Sequence, residues 1–273
     1  MLIIELRQGI FVLIETLSVF PEMFDNVMST SILGRARERG QFEFFAHNLR
    51  DWTHDRHHSV DDEPFGKGQG MLMKPEPIYE AIEDLSKTGP RPYIIFFTPC
   101  GHPFNQTSAE RLVQKERILM VCGRYEGIDE RCYALADERI SLGDYVLTGG
   151  ELPAMVVTDS IVRLIPGVLG DEMSNVDESF SACGLLEYEQ YTRPACFRGM
   201  QVPQILRSGD HGKVDNWRRK NALERTARWR PDLLKTAQIT DEERAYGYKL
   251  AQMYACHQHD YSSFVTSNTD GVE

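Results

Sequence analysis

Apolar runs typical of buried β-strands alternate along this chain with segments of helical periodicity. The apolar runs are IFVLIETLSVF, FEFFAHNL, YIIFFTP and RILMVCG, with the shorter ERISL as a fifth candidate. The helical segments among them are PEMFDNVMSTSILGRARERG, NQTSAERLVQKE and LPAMVVTDSIVRLIPG. Strands that alternate with helices predict an α/β domain with a mostly parallel sheet. Ile, Val and Phe on both faces of the runs predict that the sheet is buried on both sides.

The length and the ends of these runs exclude some classes of protein. A chain of 273 residues is long enough for one or two domains. No apolar run reaches the length of about 18 residues that indicates a membrane span, so we expect no membrane partner. The apolar amino terminus contains Glu5, Arg7 and Glu15 and lacks a basic start, which argues against a signal peptide. The six cysteines form no C-x-x-C pair, which favours reduced thiols and a cytoplasmic location.

The character of the sequence changes after Gly170. The stretch DEMSNVDESFSACG is polar and acidic and has no clear period, so we predict a linker. Helical spacing returns in HGKVDNWRRKNALERTARWRPDLL and in TDEERAYGYKLAQMYACH, where Thr240 is a plausible N-cap. We therefore predict an α/β domain at residues 1–170, a linker at 171–190 and a small helical domain at 191–273.

Positive charge is concentrated in one segment of an acidic protein. Between Arg193 and Arg230 there are ten Lys and Arg and three Asp and Glu, a local net charge of +7. Since the whole chain carries −11, the remainder carries −18. This asymmetry predicts a segment that faces a polyanion. The alternative is the ordinary solvated face of a helix.

Three glycine- or proline-containing stretches follow predicted strands. They are TPCG at 98–101, CGRYEGIDER at 122–131 and SLGDYVLTGGE at 141–151. Ligands of open α/β sheets bind outside the carboxyl ends of the strands, so these stretches predict one pocket of backbone amides and carbonyls. A phosphate cradle is less favoured, because the chain has no G-K-[ST] sequence there. Ordinary turns are the alternative.

Several long motifs in fixed order resemble one family. SVFPEMF, GRYEGIDER, SLGDYVLTGGELPA, PGVLG and YTRPACFRGMQVP are similar to the bacterial tRNA (guanine-N1)-methyltransferases of the TrmD type, over roughly residues 10–234. The resemblance implies a trefoil-knotted α/β domain of the SPOUT class followed by a small helical domain. Knots are rare, and the knot is implied only by the resemblance. Residues 1–9 precede the family start and form a variable extension.

The resemblance also implies a reaction, a methyl donor and its binding residues. The reaction is methyl transfer from S-adenosylmethionine to N1 of guanosine 37 of tRNA, with Mg²⁺ left open as a second cofactor. The residues implied for the methyl donor are Phe97, Thr98, Pro99, Gly123, Tyr125, Glu126, Leu142, Gly143, Asp144, Tyr145, Val146 and Leu147, with Gly149 and Gly150 behind them.

The chemistry of guanine indicates which catalytic groups are needed. N1 carries a proton, so the reaction requires a base for that proton and a cation for the charge that develops toward O6. Arg163 matches the family arginine that faces O6; a surface arginine on a helix is the alternative. The family usually has Asp before Ser-Phe, whereas this chain has VDESF. We expect Glu178 to be the base, with Asp177 as the second candidate.

Other motifs leave alternatives open. The resemblance implies a homodimer with its active site at the two-fold interface and tRNA on the basic segment, where Trp217 and Trp229 pack the helical domain. The HDRHH stretch at 54–58 fits no structural zinc spacing, and we predict a solvated loop and no metal site. A nicotinamide-dependent dehydrogenase would require G-x-G-x-x-G, which is missing. An RNA-binding module without activity would not require the intact loops.

Overall fold

The computed structural model of this chain describes residues 11–170, 178–181 and 183–266, with side chains as far as Cys256. The predicted extension at residues 1–9 and the second base candidate, Asp177, lie outside the described residues. Contacts along the chain divide it into two compact units, Met1–Glu172 and Met173–Glu273.

The described part of the first unit contains seven strands and five α-helices. The strands are β1 (Val12–Ser18), β2 (Phe42–Asn48), β3 (Asp61–Asp62), β4 (Leu72–Met73), β5 (Tyr93–Pro103), β6 (Arg117–Val121) and β7 (Glu138–Ser141). The helices are α1 (Asp25–Ser29), α2 (Ser31–Glu38), α3 (Pro75–Leu85), α4 (Gln106–Leu112) and α5 (Glu151–Val162). Five of the strands form a sheet in the order β2-β1-β6-β5-β7, and every neighbouring pair is parallel. The predicted α/β class and parallel sheet are confirmed.

Alternate residues of the strands are buried on opposite faces of the sheet. Ile118 and Met120 of β6 belong to one apolar core, and Leu119 and Val121 belong to the other. Four consecutive strand residues are thus fully enclosed. Helices cover both faces, which is the arrangement that near-continuous apolar runs predict.

The segment predicted as a single helix after Phe20 is divided into two. Ser29 and Thr30 donate side-chain hydrogen bonds to the carbonyls of Asp25 (2.6 Å) and Asn26 (2.8 Å). Such bonds satisfy the end of a helix and compete with its continuation. Thr30 is extended and Ser31 has a positive φ of 55°, so α2 begins in a new direction.

The second unit is small and mostly helical. Its described elements include α6 (His211–Trp229), α7 (Asp241–Thr266) and a hairpin of β8 (Cys196–Phe197) and β9 (Met200–Gln201). The predicted cap at Thr240 is confirmed, since its hydroxyl accepts from the amide of Glu243 at 3.1 Å. Glu243 in turn accepts from the amide of Thr240 at 2.9 Å, which completes a capping box.

Three further sequence predictions can be compared with this fold. Trp229 is 57% exposed, with the Arg228 guanidinium over its ring, so it does not pack the helical core as expected. Helix α7 continues to Thr266, beyond the predicted helical segment, which ended at residue 257. None of the described helices is long and apolar enough to span a membrane. The trefoil knot remains a prediction of the family resemblance.

Candidate functional site

The carboxyl ends of three neighbouring strands, β6, β5 and the edge strand β7, meet around one cavity. Because the sheet is parallel, the segments that follow these strands emerge at the same edge. They enclose a cavity of about 370 Å³, within the size range of small-molecule sites. Much of its wall is backbone, since many of its lining residues are glycines.

The first segment of the cavity is an excursion within β5. Phe97 and His102 both pair with Ile140 of β7, so residues 98–101 bulge out of the ladder. The sequence predicted a loop after the strand, whereas the strand resumes and ends at Pro103. Gly101 allows the resumed strand to approach β7, because a Cβ there would lie 2.6 Å from the amide nitrogen of Ile140.

The second segment follows β6 and carries unusual backbone conformations. Tyr125 has a positive φ of 60° and Gly127 one of 139°. The amide of Gly150, in the third segment, donates to the carbonyl of Gly123 at 2.9 Å. A Cβ on Gly150 would lie 2.6 Å from the Cα of Cys122. Only a glycine at position 150 therefore lets the third segment pass this close to the second.

The third segment, which follows β7, presents apolar side chains outward. Its tight start depends on Gly143, whose φ of 153° is rarely adopted by other residues. Tyr145 and Val146 are 58% and 90% exposed although both border the cavity. Side chains this apolar are expected to be covered by a ligand or another protein surface.

The structure brings together nearly all of the residues predicted for the methyl donor. Those that line the cavity are Phe97, Thr98, Pro99, Gly123, Tyr125, Glu126, Leu142, Gly143, Tyr145, Val146, Leu147, Gly149 and Gly150. Asp144 is not among the lining residues, although its neighbours on both sides are.

Several lining residues were not predicted. Arg124, Gly127 and Ile128 lie inside the quoted GRYEGIDER motif, so the motif itself was the available signal. Tyr133 and Leu72 carry no such signal. Burial raises the pKa of Tyr133, and its hydroxyl is hydrogen-bonded to the Thr98 side chain. Tyr133 thus stabilises the first segment from the side.

A buried ion pair stands between the second and third segments. The Nε of Arg124 lies 2.9 Å from an Oε2 of Glu151, and these side chains are 16% and 1% exposed. The Ser18 hydroxyl donates to the other carboxylate oxygen at 2.6 Å. A negative side chain in the first turn of α5 is also favoured by the helix dipole. Burial and the Glu151 charge raise the pKa of the Cys122 thiol well above its usual value.

A short two-stranded ribbon borders the cavity on another side. The amide of Glu126 donates to the carbonyl of Met71 at 3.1 Å, just before β4. Gly70 packs against the Glu126 side chain. At the tip of the ribbon Phe65 is fully exposed, and Lys67 has a positive φ of 58°. The ribbon borders the cavity through Leu72.

The predicted catalytic residues lie in different units. Arg163 caps the carboxyl end of α5, where its amide donates to the carbonyl of Asp159 at 3.2 Å. Glu178 belongs to the second unit and borders a further cavity of about 370 Å³, together with Tyr188 and Arg218. The Glu178 carbonyl accepts hydrogen bonds from the amide and the hydroxyl of Ser181, which form a turn.

The histidine-rich stretch at 54–58 is an exposed loop organised by Asp55. This carboxylate accepts from the amides of His57 and Ser59 and from the Ser59 hydroxyl. The hydrogen bonds from Ser59 are the main reason that the pKa of Asp55 is lowered to about 2. His54 contacts Glu80 at 2.9 Å. Across the described residues no group of three His, Cys, Asp or Glu side chains is placed to hold a metal ion.

These features define an α/β protein whose parallel sheet carries a ligand-sized pocket of glycine-rich loops at its carboxyl edge. Residues 12–236 match the family model described as "tRNA (Guanine-1)-methyltransferase TrmD". A tRNA (guanine-N(1)-)-methyltransferase of Moorella thermoacetica is 50% identical over 236 residues, which are 85% of this chain and 94% of the relative. The Bacillus subtilis protein of the same name is 48% identical over 235 residues, 85% of this chain and 96% of the relative.

A solved structure is similar as well. The tRNA (m1G37) methyltransferase from Aquifex aeolicus has a TM-score of 0.67 and 36% identity, and the match covers 82% of this chain and 95% of that one. The chain belongs to the TrmD family of tRNA (guanine-1)-methyltransferases.

Proposed function

We propose that this protein transfers a methyl group from S-adenosylmethionine to N1 of guanosine 37 in tRNA, next to the anticodon. Family membership over most of the chain supports the reaction class. The observation that carries the proposal is the cavity at the carboxyl edge of the sheet, since thirteen of the fourteen residues predicted for the methyl donor line it.

The cavity fits S-adenosylmethionine in size and in chemistry. Its volume suits a ligand of nucleoside size. Backbone amides and carbonyls of Leu142–Leu147 can read an adenine edge without charged side chains. Tyr125 and Ile128 add apolar walls. When bound, S-adenosylmethionine supplies an activated methyl group on a sulfonium.

The protein must then provide a base and a cation for the guanine. Glu178 takes the N1 proton, and Asp177 is the second candidate. Arg163 donates to O6, where negative charge develops as the proton leaves. Helix α5 begins beside the cavity, since Gly150 and Pro153 line it, and Arg163 caps the carboxyl end of the same helix.

We propose a homodimer in which the loops of one subunit and the linker acids of the other form one site. An exposed apolar surface supports this assembly. Leu152 and Val156, one turn apart on α5, are 50% and 47% exposed, and Phe20, Met23 and Val27 are each between 37% and 39% exposed. Residues at this spacing share a helix face, and a contiguous apolar patch indicates a protein partner.

The second unit is the tRNA-binding part in this proposal, and the first unit is the methyltransferase part. Most cations of α6 are already engaged: Arg219 forms two hydrogen bonds with Glu243, at 2.7 and 2.9 Å. The cations better suited to phosphates precede α6. Arg193, Arg198 and Arg207 are exposed, and among the described residues none of the three has a carboxylate at ion-pair distance.

Mg²⁺ is proposed only as an optional second cofactor, and a cytoplasmic location follows from a tRNA substrate. The test of the function is a titration of the pure protein with S-adenosylmethionine and with NADH, followed by methyl transfer to tRNA transcripts with G37 or A37. We expect the protein to bind S-adenosylmethionine but not NADH. We expect it to methylate the G37 transcript but not the A37 transcript. Assays with Mg²⁺ and with a chelator decide the role of the metal. Transfer to both transcripts would contradict the proposed target.

A further inference from the structure

Arg124 lies between the cavity and the exposed apolar surface around Phe20. Arg124 lines the cavity on one side, and its guanidinium makes further contacts. On the other side its central carbon lies 4.8 Å from the centre of the Phe20 ring, and its Nη2 lies 2.9 Å from the Sδ of Met23. Neither Phe20 nor Met23 lines the cavity. Arg124 is therefore in contact with both the cavity and the apolar surface.

The ion pair with Glu151 fixes the position of the Arg124 guanidinium but not its orientation. Glu151 is immobilised by complete burial and by the bond from Ser18. Although the Nε of Arg124 and the Oε2 of Glu151 are 2.9 Å apart, neither atom makes a well-aligned hydrogen bond to a described residue. Charge alone holds them together, so the orientation of the guanidinium depends on its other contacts. The Phe20 ring supplies one of these contacts.

The third cavity segment contacts this guanidinium directly. Nη1 of Arg124 donates to the carbonyl of Thr148 at 3.4 Å, and the backbones of Arg124 and Gly149 form a bridge. A Cβ on Gly149 would lie 2.5 Å from the Oε2 of Glu151. A shift of the guanidinium therefore moves Thr148 and Gly149, which line the cavity.

We propose that Arg124 is a positioning residue that couples the apolar surface at Phe20 to the methyl-donor pocket. This inference rests on the proposed function, because it assigns the pocket to S-adenosylmethionine. A ring held at Phe20 keeps the guanidinium against Thr148 and so keeps the third segment in its binding position. If the Phe20 surface is covered by a second subunit, assembly of the dimer tightens the pocket through the same contact.

The test compares substitutions at Phe20, which does not line the pocket, with a substitution at Arg124, which does. Phe20→Leu removes the ring but keeps an apolar side chain, whereas Phe20→Tyr keeps the ring face under the guanidinium. Arg124→Lys keeps the charge but loses the planar fork. The control is Arg131→Lys, which changes an exposed arginine that is paired with Asp129 close by on the same segment. Binding of S-adenosylmethionine is measured by calorimetry, and thermal unfolding without ligand checks that each variant is folded.

We expect Phe20→Leu and Arg124→Lys each to weaken S-adenosylmethionine binding about three- to tenfold, in line with the strength of cation–π contacts. The double variant is expected to bind S-adenosylmethionine no more weakly than the weaker-binding single variant, because the two residues act through one contact. Phe20→Tyr and Arg131→Lys should bind within twofold of the natural protein. In turnover assays KM for S-adenosylmethionine should rise while kcat stays within twofold.

The coupling would be overturned if Phe20→Leu left the affinity for S-adenosylmethionine unchanged. It would also be overturned if the losses of affinity in the two single variants multiplied in the double variant. An equal loss in Phe20→Tyr and Phe20→Leu would do the same, because it would show that the ring face is not what matters. Failure of the proposed function has a different signature, since the natural protein itself would then not bind S-adenosylmethionine.

Discussion

Gly101 crosses the backbone of Ile140 so closely that a Cβ at position 101 would lie 2.6 Å from the Ile140 amide nitrogen. Both residues belong to the parallel pair β5–β7, which supplies the first and third segments of the cavity. The neighbouring atoms are backbone and cannot rotate away. The position of the pocket loops therefore depends on the absence of a side chain at Gly101.

Gly101→Ala is expected to lower the free energy of unfolding by about 1–3 kcal/mol, the usual range for overpacking. Weaker binding of S-adenosylmethionine should accompany this loss, because β5 and β7 must separate. Urea unfolding and ligand titration measure the two effects. Gly170→Ala is the matched control, since a Cβ there meets no atom within 4 Å, and it should change stability by less than about 0.5 kcal/mol. Equal stability of the two variants would contradict the close approach.

Glu178→Gln should lower turnover by roughly 10²–10⁴, the usual contribution of a general base. The amide keeps the shape and hydrogen bonding of the side chain but cannot accept the N1 proton. Single-turnover kinetics with saturating tRNA measure the loss, and the affinity for S-adenosylmethionine should stay constant. Asp177→Asn is the control, and Glu178→Asp should retain substantial activity. An inactive Asp177→Asn beside a nearly normal Glu178→Gln would assign the base to Asp177.

Changing Arg193, Arg198 and Arg207 together to Gln should weaken tRNA binding and flatten its dependence on salt. Each lost phosphate contact removes roughly 0.7–0.9 from the slope of log K against log salt, so we expect a decrease of about 2–3. Filter binding over a range of salt concentrations measures it. Lys235→Gln, an exposed change in the same unit, is the control. Arg219 is unsuitable for this test, because its pair with Glu243 supports the fold. An unchanged slope would exclude these arginines from the tRNA surface.

Leu152→Glu combined with Val156→Glu is expected to convert the protein to a monomer at micromolar concentration. Two charges in the centre of an apolar interface would be desolvated without partners. Light scattering gives the mass directly. Met253→Glu is a matched control, since Met253 is 50% exposed, as is Leu152, but lies in the second unit. A dimer that survives the double change would mean that subunits associate elsewhere.

The pair of Arg219 and Glu243 predicts a pH dependence of the second unit. The Arg219 guanidinium is the largest cause of the lowered pKa of Glu243, which is about 2 in the folded protein. A carboxylate with a lowered folded pKa stabilises above its unfolded pKa, and that stabilisation is lost as the pH falls toward 2. Glu243→Gln should therefore lose about 0.2–1 kcal/mol at pH 7 and little at pH 2. Urea unfolding at both values tests this, with Glu242→Gln as the control.

The parallel sheet could be predicted because local and tertiary requirements agree in its strands. The strands β1, β6 and β5 contribute apolar residues to both cores, whereas Glu43 and Phe45 of the edge strand β2 are exposed. The interruption at Thr30 was not predictable from apolar spacing, because two hydroxyl-to-carbonyl bonds cause it. The strands β3 and β4 contain only two residues each, too few for a periodic signal.

The candidate site was predictable to the extent that glycines mark close backbone approaches. Gly101 and Gly150 stood in motifs that followed predicted strands, and each now has a neighbouring backbone that requires it. Tyr133 and Leu72 reach the cavity only through tertiary packing, so no local pattern indicated them. The ion pair of Arg124 and Glu151 was missed for the same reason, since it joins two segments 27 residues apart.

Mass spectrometry of tRNA determines whether this chain methylates N1 of guanosine 37. The pure protein is incubated with unmodified tRNA and S-adenosylmethionine that carries an isotopically labelled methyl group, and nuclease fragments are then sequenced by mass. We expect one labelled methyl per tRNA, on the guanosine at position 37, with the retention time of the N1-methyl nucleoside. A labelled methyl at another position or on another atom of guanine, or no label in any fragment, would contradict it.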